Sequence, residues 1–254
     1  MEMRSTFVQV GSIFSAFGWA FLFHLQVANA QTVGVTATVA IVSSKEKGDG
    51  KPNSSDVVVW LKPLSGSAKR EREPPIQGSR SRFRLVQHHK RFDPHVMVVP
   101  LNSVVEFPNL DPFFHNVFSM YDGKRFDLGL YEAGATHNVT FDRLGVCFIF
   151  CNIHPEMSAV VVVLDTPYFA VSKSTGELSI PGVPPGRYLV SVWSERCQPG
   201  SITGFPREVT ISESNASLGA IRLVEAGSLL SPHKNKYGYD YETPNPPIGI
   251  YDRR

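Results

Sequence analysis

Seven consecutive residues, Cys151-Asn152-Ile153-His154-Pro155-Glu156-Met157, carry a thiol, an imidazole and a thioether. They follow an apolar run, Val146-Cys147-Phe148-Ile149-Phe150, and a second imidazole stands upstream in Phe113-Phe114-His115-Asn116-Val117. A thiolate, two imidazole nitrogens and a weak thioether form the ligand set of a blue-copper electron-transfer centre. The candidate ligands are therefore His115, Cys151, His154 and Met157. Such a centre changes its charge by one with little movement, so its ligands must be held rigidly, and strands supply that rigidity. Cys151 is expected at the end of one strand, with a short loop returning His154 and Met157, and His115 is expected on a different strand. Asn116 is expected to hydrogen-bond across to the segment carrying Cys151 and steady it. Pro155 stiffens the loop by fixing one φ angle.

Cys-x-x-His alone is common; Cys-x-x-His-x-x-Met after an alternating strand, with His-Asn-Val upstream, is far more specific. The competing description is a buried Cys, a surface His and a core Met that never meet. Zinc fits less well, because a structural zinc site takes four strong ligands and a thioether is a poor one. The other histidines lack ligand-like spacing: His88, His89, His95 and His137 stand apart from any Cys, and His88-His89-Lys90-Arg91 reads as a solvated basic turn. Glu132, Asp142 and Glu195 are scattered singly and read as solvated surface. There is no Gly-x-Ser-x-Gly and no phosphate-binding glycine loop, so the sequence points away from an enzyme.

The chain has 254 residues, net charge +2, 20 Gly and 19 Pro. A near-neutral charge offers no field for nucleic acid, and this Gly and Pro content suits a turn-rich β protein. The N-terminus reads as an export signal: Arg4, an apolar stretch over 7–27, then Ala28-Asn29-Ala30, which would leave Gln31 first in the mature chain. The rival reading is an uncleaved membrane anchor, since about 20 apolar residues span a bilayer. Either way the body is exported, to the periplasm or the exterior. Only three cysteines are present, Cys147, Cys151 and Cys197, too few for a disulfide scaffold. Cys147 and Cys151 lie about 13 Å apart on an extended strand, beyond disulfide reach. Cys147 reads as a small buried hydrophobe and Cys197 as a free thiol in a turn.

The elements that must position these residues are all strands. Residues 33–42 alternate as a strand should, 56–61 read as a second strand, and the two are expected to form a hairpin around Lys47-Gly48-Asp49-Gly50-Lys51-Pro52. Residues 65–82 are polar, Pro-containing and charged, and read as a linker. Strands are expected at 83–87, 96–99, 103–107, 114–120, 136–141, 146–151 and 159–164, separated by turns, which makes a β-sandwich. After residues 169–171, which lead into a turn at 172–176, further strands are expected at 177–180, 187–193, 208–211 and 220–223. Residues 225–254 are Pro- and Tyr-rich without periodicity; docking of their tyrosines is the alternative to an extended or disordered tail. If Cys147, Ile149 and Cys151 face inward, Phe148 and Phe150 face outward, where two rings need cover from a second domain or a partner.

Residues 83–165 resemble the cupredoxins, the plastocyanin and amicyanin family. The resemblance rests on Glu106-Phe107-Pro108-Asn109, on His115-Asn116-Val117 and on the Cys151–Met157 stretch, whose spacing is the short amicyanin-like loop. Cys147 departs from it, where plastocyanins usually carry an aromatic. The mature chain as a whole also resembles proteins labelled methylamine utilisation proteins. The resemblance implies a Greek-key β-sandwich, one type-1 copper bound by His115, Cys151, His154 and Met157, and single-electron exchange with an unidentified protein partner through the exposed edge of His154. A copper-delivery module or a purely structural envelope protein is the alternative function. Residues 33–62 and 168–224 resemble the two halves of a carboxypeptidase regulatory-like, or transthyretin-like, domain, on Asp49-Gly50-Lys51-Pro52, Thr175-Gly176-Glu177 and Pro184-Pro185-Gly186-Arg187-Tyr188. The implied organisation is all-β: a signal over 1–30, a discontinuous sandwich over 31–64 plus 166–224, a linker over 65–82, the cupredoxin over 83–165 inserted into or adjoining that sandwich, and a tail over 225–254.

Overall fold

A computed structural model of the chain describes residues 31–43, 53–64, 83–120, 123–198, 202–225 and 234–241. The expected signal at 1–30 and the linker at 65–82 lie outside the described residues. The described residues form strands and connecting turns only, so the chain is all-β. No helix among them is long and apolar enough to cross a membrane.

Two sandwiches account for nearly every strand. In the first, β1 (Val33–Ser43) lies between β14 (Glu177–Val183), antiparallel, and β17 (Ser217–Glu225), parallel. The facing sheet runs β13-β2-β15-β16, from β2 (Val57–Pro63), β13 (Phe169–Val171), β15 (Gly186–Ser194) and β16 (Arg207–Ile211). The period-two pattern of β1 buries Val35, Ala37, Val39 and Ile41, which meet Val57, Val59 and Leu61 of β2 in one core. The expected hairpin between 33–42 and 56–61 therefore does not form. Both edges of β1 are taken by later strands, so β1 and β2 stack face to face in opposite sheets.

The second sandwich contains the candidate ligands. One sheet runs β6-β12-β11-β8-β9, from β6 (Val96–Pro100), β8 (His115–Ser119), β9 (Phe126–Tyr131), β11 (Gly145–Phe150) and β12 (Ser158–Leu164). The other runs β10-β7-β3, from β3 (Phe83–Arg84), β7 (Ser103–Pro108) and β10 (Thr136–Phe141). A small hairpin joins β4 (Val86–His88) to β5 (Arg91–Asp93). The expected single strand at 83–87 is thus two: the chain follows β7 up to fully buried Leu85 and then turns to a new partner. Strand β9 is an addition to the expected set. Its Asp127 and Gly129 look like turn residues, and they make a bulge, with Gly129 at φ +69° and its N–H on Asp127 Oδ1 at 3.0 Å.

A third apolar cluster joins the two sandwiches. Val58 of β2 packs with Val96, Val98, Val160, Val162 and Leu164, and Trp60, Phe169, Trp193, Val146 and Phe148 border them. Strand β12 buries Val161 and Val163 on its other face. Burial on both faces explains why 159–164 is a continuous apolar run and not an alternating one. Outward-facing Phe148 finds its cover here, against the other sandwich, while Phe150 is buried beside Phe118 at 5.9 Å between ring centroids.

Other side chains depart from expectation. Glu195 is not solvated surface but pairs with His95, Oε2 to Nε2 at 2.6 Å, across the two sandwiches. Asp142, by contrast, lies on the exposed surface as expected and pairs there with Lys124. Cys197 is a free thiol in a turn, as expected, and is in addition a buried member of the first core. Cys147 is buried, but its sulfur accepts the Lys124 N–H at 2.8 Å and donates to the Lys124 carbonyl at 3.3 Å. A Cβ at Gly123 would stand 2.7 Å from that sulfur, so glycine permits the approach. Residues 234–241 are no unstructured tail. They form a turn, with Asn235 N–H on the Tyr239 carbonyl at 2.8 Å, and dock against the loop after Cys151.

Candidate metal centre

His115 opens β8, and Cys151 directly follows β11, which lies beside β8 in the same sheet. The chain then makes a tight return: Met157 N–H donates to the His154 carbonyl at 3.0 Å, and Cys151 N–H donates to the Met157 carbonyl at 3.1 Å. Exposed Pro155 and Glu156 form the turn between them. These bonds bring His154 Nδ1 to 3.6 Å from Cys151 Sγ, and His115 Nδ1 reaches the same sulfur at 3.7 Å. The three ligand atoms all lie within 4.8 Å of one another. Met157 is fully buried in the same apolar cluster as Cys151.

The donor set suits a small transition-metal ion. Bonds of about 2.3 Å to sulfur and about 2.0 Å to nitrogen, opening at about 110–120°, separate the two donor atoms by about 3.5–3.8 Å, which is the spacing observed. Both imidazoles present Nδ1 to the sulfur. For His115 this orientation has a visible cause: its Nε2 lies 2.8 Å from Asp111 Oδ2, so Nε2–H donates outward and leaves the Nδ1 lone pair facing in.

Asp111 went unnoticed in the sequence reading. Only 3% exposed, it also accepts the backbone N–H groups of His89 at 2.7 Å and Lys90 at 2.9 Å. Burial alone would push its carboxyl up; hydrogen bonds from Lys90, His115 and His89 outweigh that, and the group is held below the usual carboxylate range. His88-His89-Lys90-Arg91 is therefore more than a solvated turn, because its backbone clamps the carboxylate that orients His115. Asn109, also buried, shapes this loop: its Nδ2 donates to the Phe113 carbonyl at 2.8 Å, and its Oδ1 accepts the Asp111 N–H at 3.0 Å. A carboxylate four residues ahead of a candidate ligand His, within an apolar stretch, was the signal available. Phe113 was also missed; its ring lies 5.2 Å from that of His115 and 5.8 Å from that of His154.

Asn116 steadies the site differently from expectation. Its side chain turns away from Cys151 and donates to Asp127 Oδ1 at 2.7 Å and to the Gly129 carbonyl at 2.9 Å. The contribution to Cys151 comes from its backbone. Burial pushes the Cys151 thiol up, opposed by backbone hydrogen bonding from Asn116, Ile153 and His154. His154 is held below the usual imidazole range, by burial first and then by the neighbouring His115 and Lys90 side chains. An imidazole that burial biases against protonation, next to a thiol, is a receptive setting for a cation, whose entry would displace the thiol proton. His137 packs against Tyr131 with ring centroids 4.5 Å apart and planes tilted by 49°, and takes no part in the group.

No protein-family model matches the chain, and no curated protein matches it. Among solved structures it is similar to a purple cupredoxin from Nitrosopumilus maritimus, at 21% identity over 32% of this chain and 99% of that one, with a TM-score of 0.30. A copper-containing nitrite reductase (NirK) from Thermus scotoductus SA-01 aligns at 23% identity over 41% of this chain and 26% of that one, with a TM-score of 0.32. An oxidised amicyanin variant aligns at 19% identity over 33% of this chain and 82% of that one, with a TM-score of 0.31.

Proposed function

We propose that this chain is an exported one-electron carrier that holds a single copper ion between His115, Cys151, His154 and Met157. The observation that carries the reading is the convergence of two Nδ1 atoms and one thiol sulfur at metal-bridging distances in a buried setting. Copper bound there supplies the one-electron couple, and these soft and borderline donors tolerate both of its oxidation states. The chain's own residues do the rest. Asp111 holds the His115 tautomer, backbone hydrogen bonding from Asn116, Ile153 and His154 steadies the sulfur, and Phe113 flanks both imidazoles. His154 is partly exposed, the exit that electron exchange with a protein partner requires. The sandwich built from 31–64 and 166–224 acts as a structural or docking module of carboxypeptidase regulatory-like type and does no chemistry. The chain reaches its compartment through the 1–30 signal, and residues 7–27 would anchor it to a membrane if left uncleaved.

The test is copper(II) addition to the purified metal-free protein. An intense blue thiolate-to-copper absorption, absent in Cys151→Ala, is the expected result. Colourless binding with fast release would replace electron transfer with copper delivery, and no uptake would leave a structural protein.

A further inference from the structure

The segment at 234–241 touches the candidate centre from outside both sandwiches. It is a self-closed turn: Asn235 Oδ1 accepts the N–H groups of Tyr237 at 3.0 Å and Tyr239 at 3.1 Å, and Gly238 N–H returns to the Asn235 carbonyl at 2.9 Å. From this segment bonds reach the body. Lys236 N–H donates to Asn152 Oδ1 at 2.9 Å, Tyr241 Oη donates to the Cys151 carbonyl at 2.8 Å, and Lys236 Nζ pairs with Asp127 Oδ2 at 2.8 Å. That ion pair is only 20% and 28% exposed, drier than an ordinary surface pair.

These contacts link the two segments that carry the candidate ligands. Asp127 is bonded through its other oxygen to Asn116, the residue after His115 on β8. Cys151 and Asn152, the two residues held by Tyr241 and Lys236, lead directly to His154, whose Nδ1 lies 3.6 Å from the Cys151 sulfur. One segment therefore ties the strand bearing His115 to the loop bearing Cys151 and His154.

We propose that residues 234–241 are a strap that positions the loop from Cys151 to Met157 and so governs the accessibility and redox behaviour of the Cys151 sulfur, with Tyr241 as its positioning residue. Hydrogen bonds to a ligating sulfur withdraw electron density and favour the reduced metal. With the strap released, the backbone hydrogen bonding after Cys151 loses its fixed geometry. The thiol of the metal-free protein then opens to reagents, and the potential of the copper form falls. The electrochemical half of this inference rests on the copper reading; the thiol half does not.

The experiment compares the full chain with Tyr241→Phe, which removes one hydroxyl, and with a variant lacking 234–254. Metal-free proteins are alkylated with iodoacetamide, and the rate at each cysteine is read by peptide mass. Loss of the hydroxyl is expected to speed Cys151 alkylation about fivefold, the equivalent of one hydrogen bond, with the deletion faster still and Cys147 and Cys197 unchanged. After copper loading, both variants are expected to show a lower reduction potential than the full chain. Unchanged Cys151 rates and potentials in both variants would overturn the strap, as would equal acceleration at all three cysteines, which marks general loosening. If the unmodified chain takes up no copper, the proposed function falls, while the alkylation rates still decide the strap.

Discussion

Replacing Asp111 tests how the His115 side of the centre is held. Its carboxylate accepts the N–H groups of His89 and Lys90 and the Nε2–H of His115, all at 2.7–2.9 Å, from a site 3% exposed. Asp111→Ala leaves all three donors without that acceptor. At about 1 kcal/mol for each backbone N–H and about 2 kcal/mol for the imidazole N–H, the loss is about 4 kcal/mol. The turn that the carboxylate clamps is itself strained, with His89 at φ 53° and Lys90 at φ 56°, so it relaxes once released. Asp111→Asn keeps one acceptor oxygen but turns an amide toward the donors, and should cost about 2 kcal/mol. Urea denaturation of the metal-free protein measures both. The pH dependence gives a second signature. Because the folded carboxyl is held below the usual range, its contribution is fully present above the ordinary aspartate pKa of about 3.9 and is lost as pH falls through the lower folded value. Asp111→Asn should therefore flatten the acid decline of stability. Copper affinity should fall about 10- to 100-fold when the imidazole loses its outer partner. An Asp111→Ala protein within about 1 kcal/mol of the parent, which is no more than an ordinary surface change, with unchanged acid sensitivity, would refute this account.

Burial opposes the charge on His95, but its bond to Glu195 dominates and raises its pKa. That pair's contribution is complete below the ordinary histidine value of about 6.5 and disappears as pH rises through the higher folded value; His95→Gln should abolish this alkaline-side loss in thermal denaturation followed from pH 6 to 9. Gly176→Ala would place a Cβ 1.9 Å from the Val39 carbonyl at a residue with φ +82°, so unfolding should show a loss of about 3 kcal/mol or more.

Strands were most legible where polar and apolar positions alternate. Residues 136–141 were read to the residue for that reason. Partnership was harder. Nearness in sequence suggested a hairpin for 33–42 and 56–61, but hydrogen bonds to distant strands at 177–183 and 217–225 take both edges of the first. Strand 126–131 was missed because a bulge borrows turn residues. At the metal centre, spacing revealed the groups that donate to a metal, since thiol and imidazole are chemically distinctive. It did not reveal Asp111, Phe113 or Tyr241. Their roles depend on contacts set by folding, and for Tyr241 the contact spans 90 residues of sequence.

The apolar cluster joining the sandwiches has a consequence for how the molecule comes apart. Val58 and Trp193 on one side and Val98, Val160 and Val162 on the other exclude water from each other, so unfolding either sandwich would leave the survivor with an open, valine-rich face. Strand β12 couples the two most directly, because its opposite faces belong to two different cores. Local opening in one half is thereby penalised by exposure in the other, so calorimetry is expected to show the two melting in a single cooperative transition. The loop bearing Cys151 begins where β11, the neighbour of β12, ends. Its rigidity is therefore a property borrowed from the whole body.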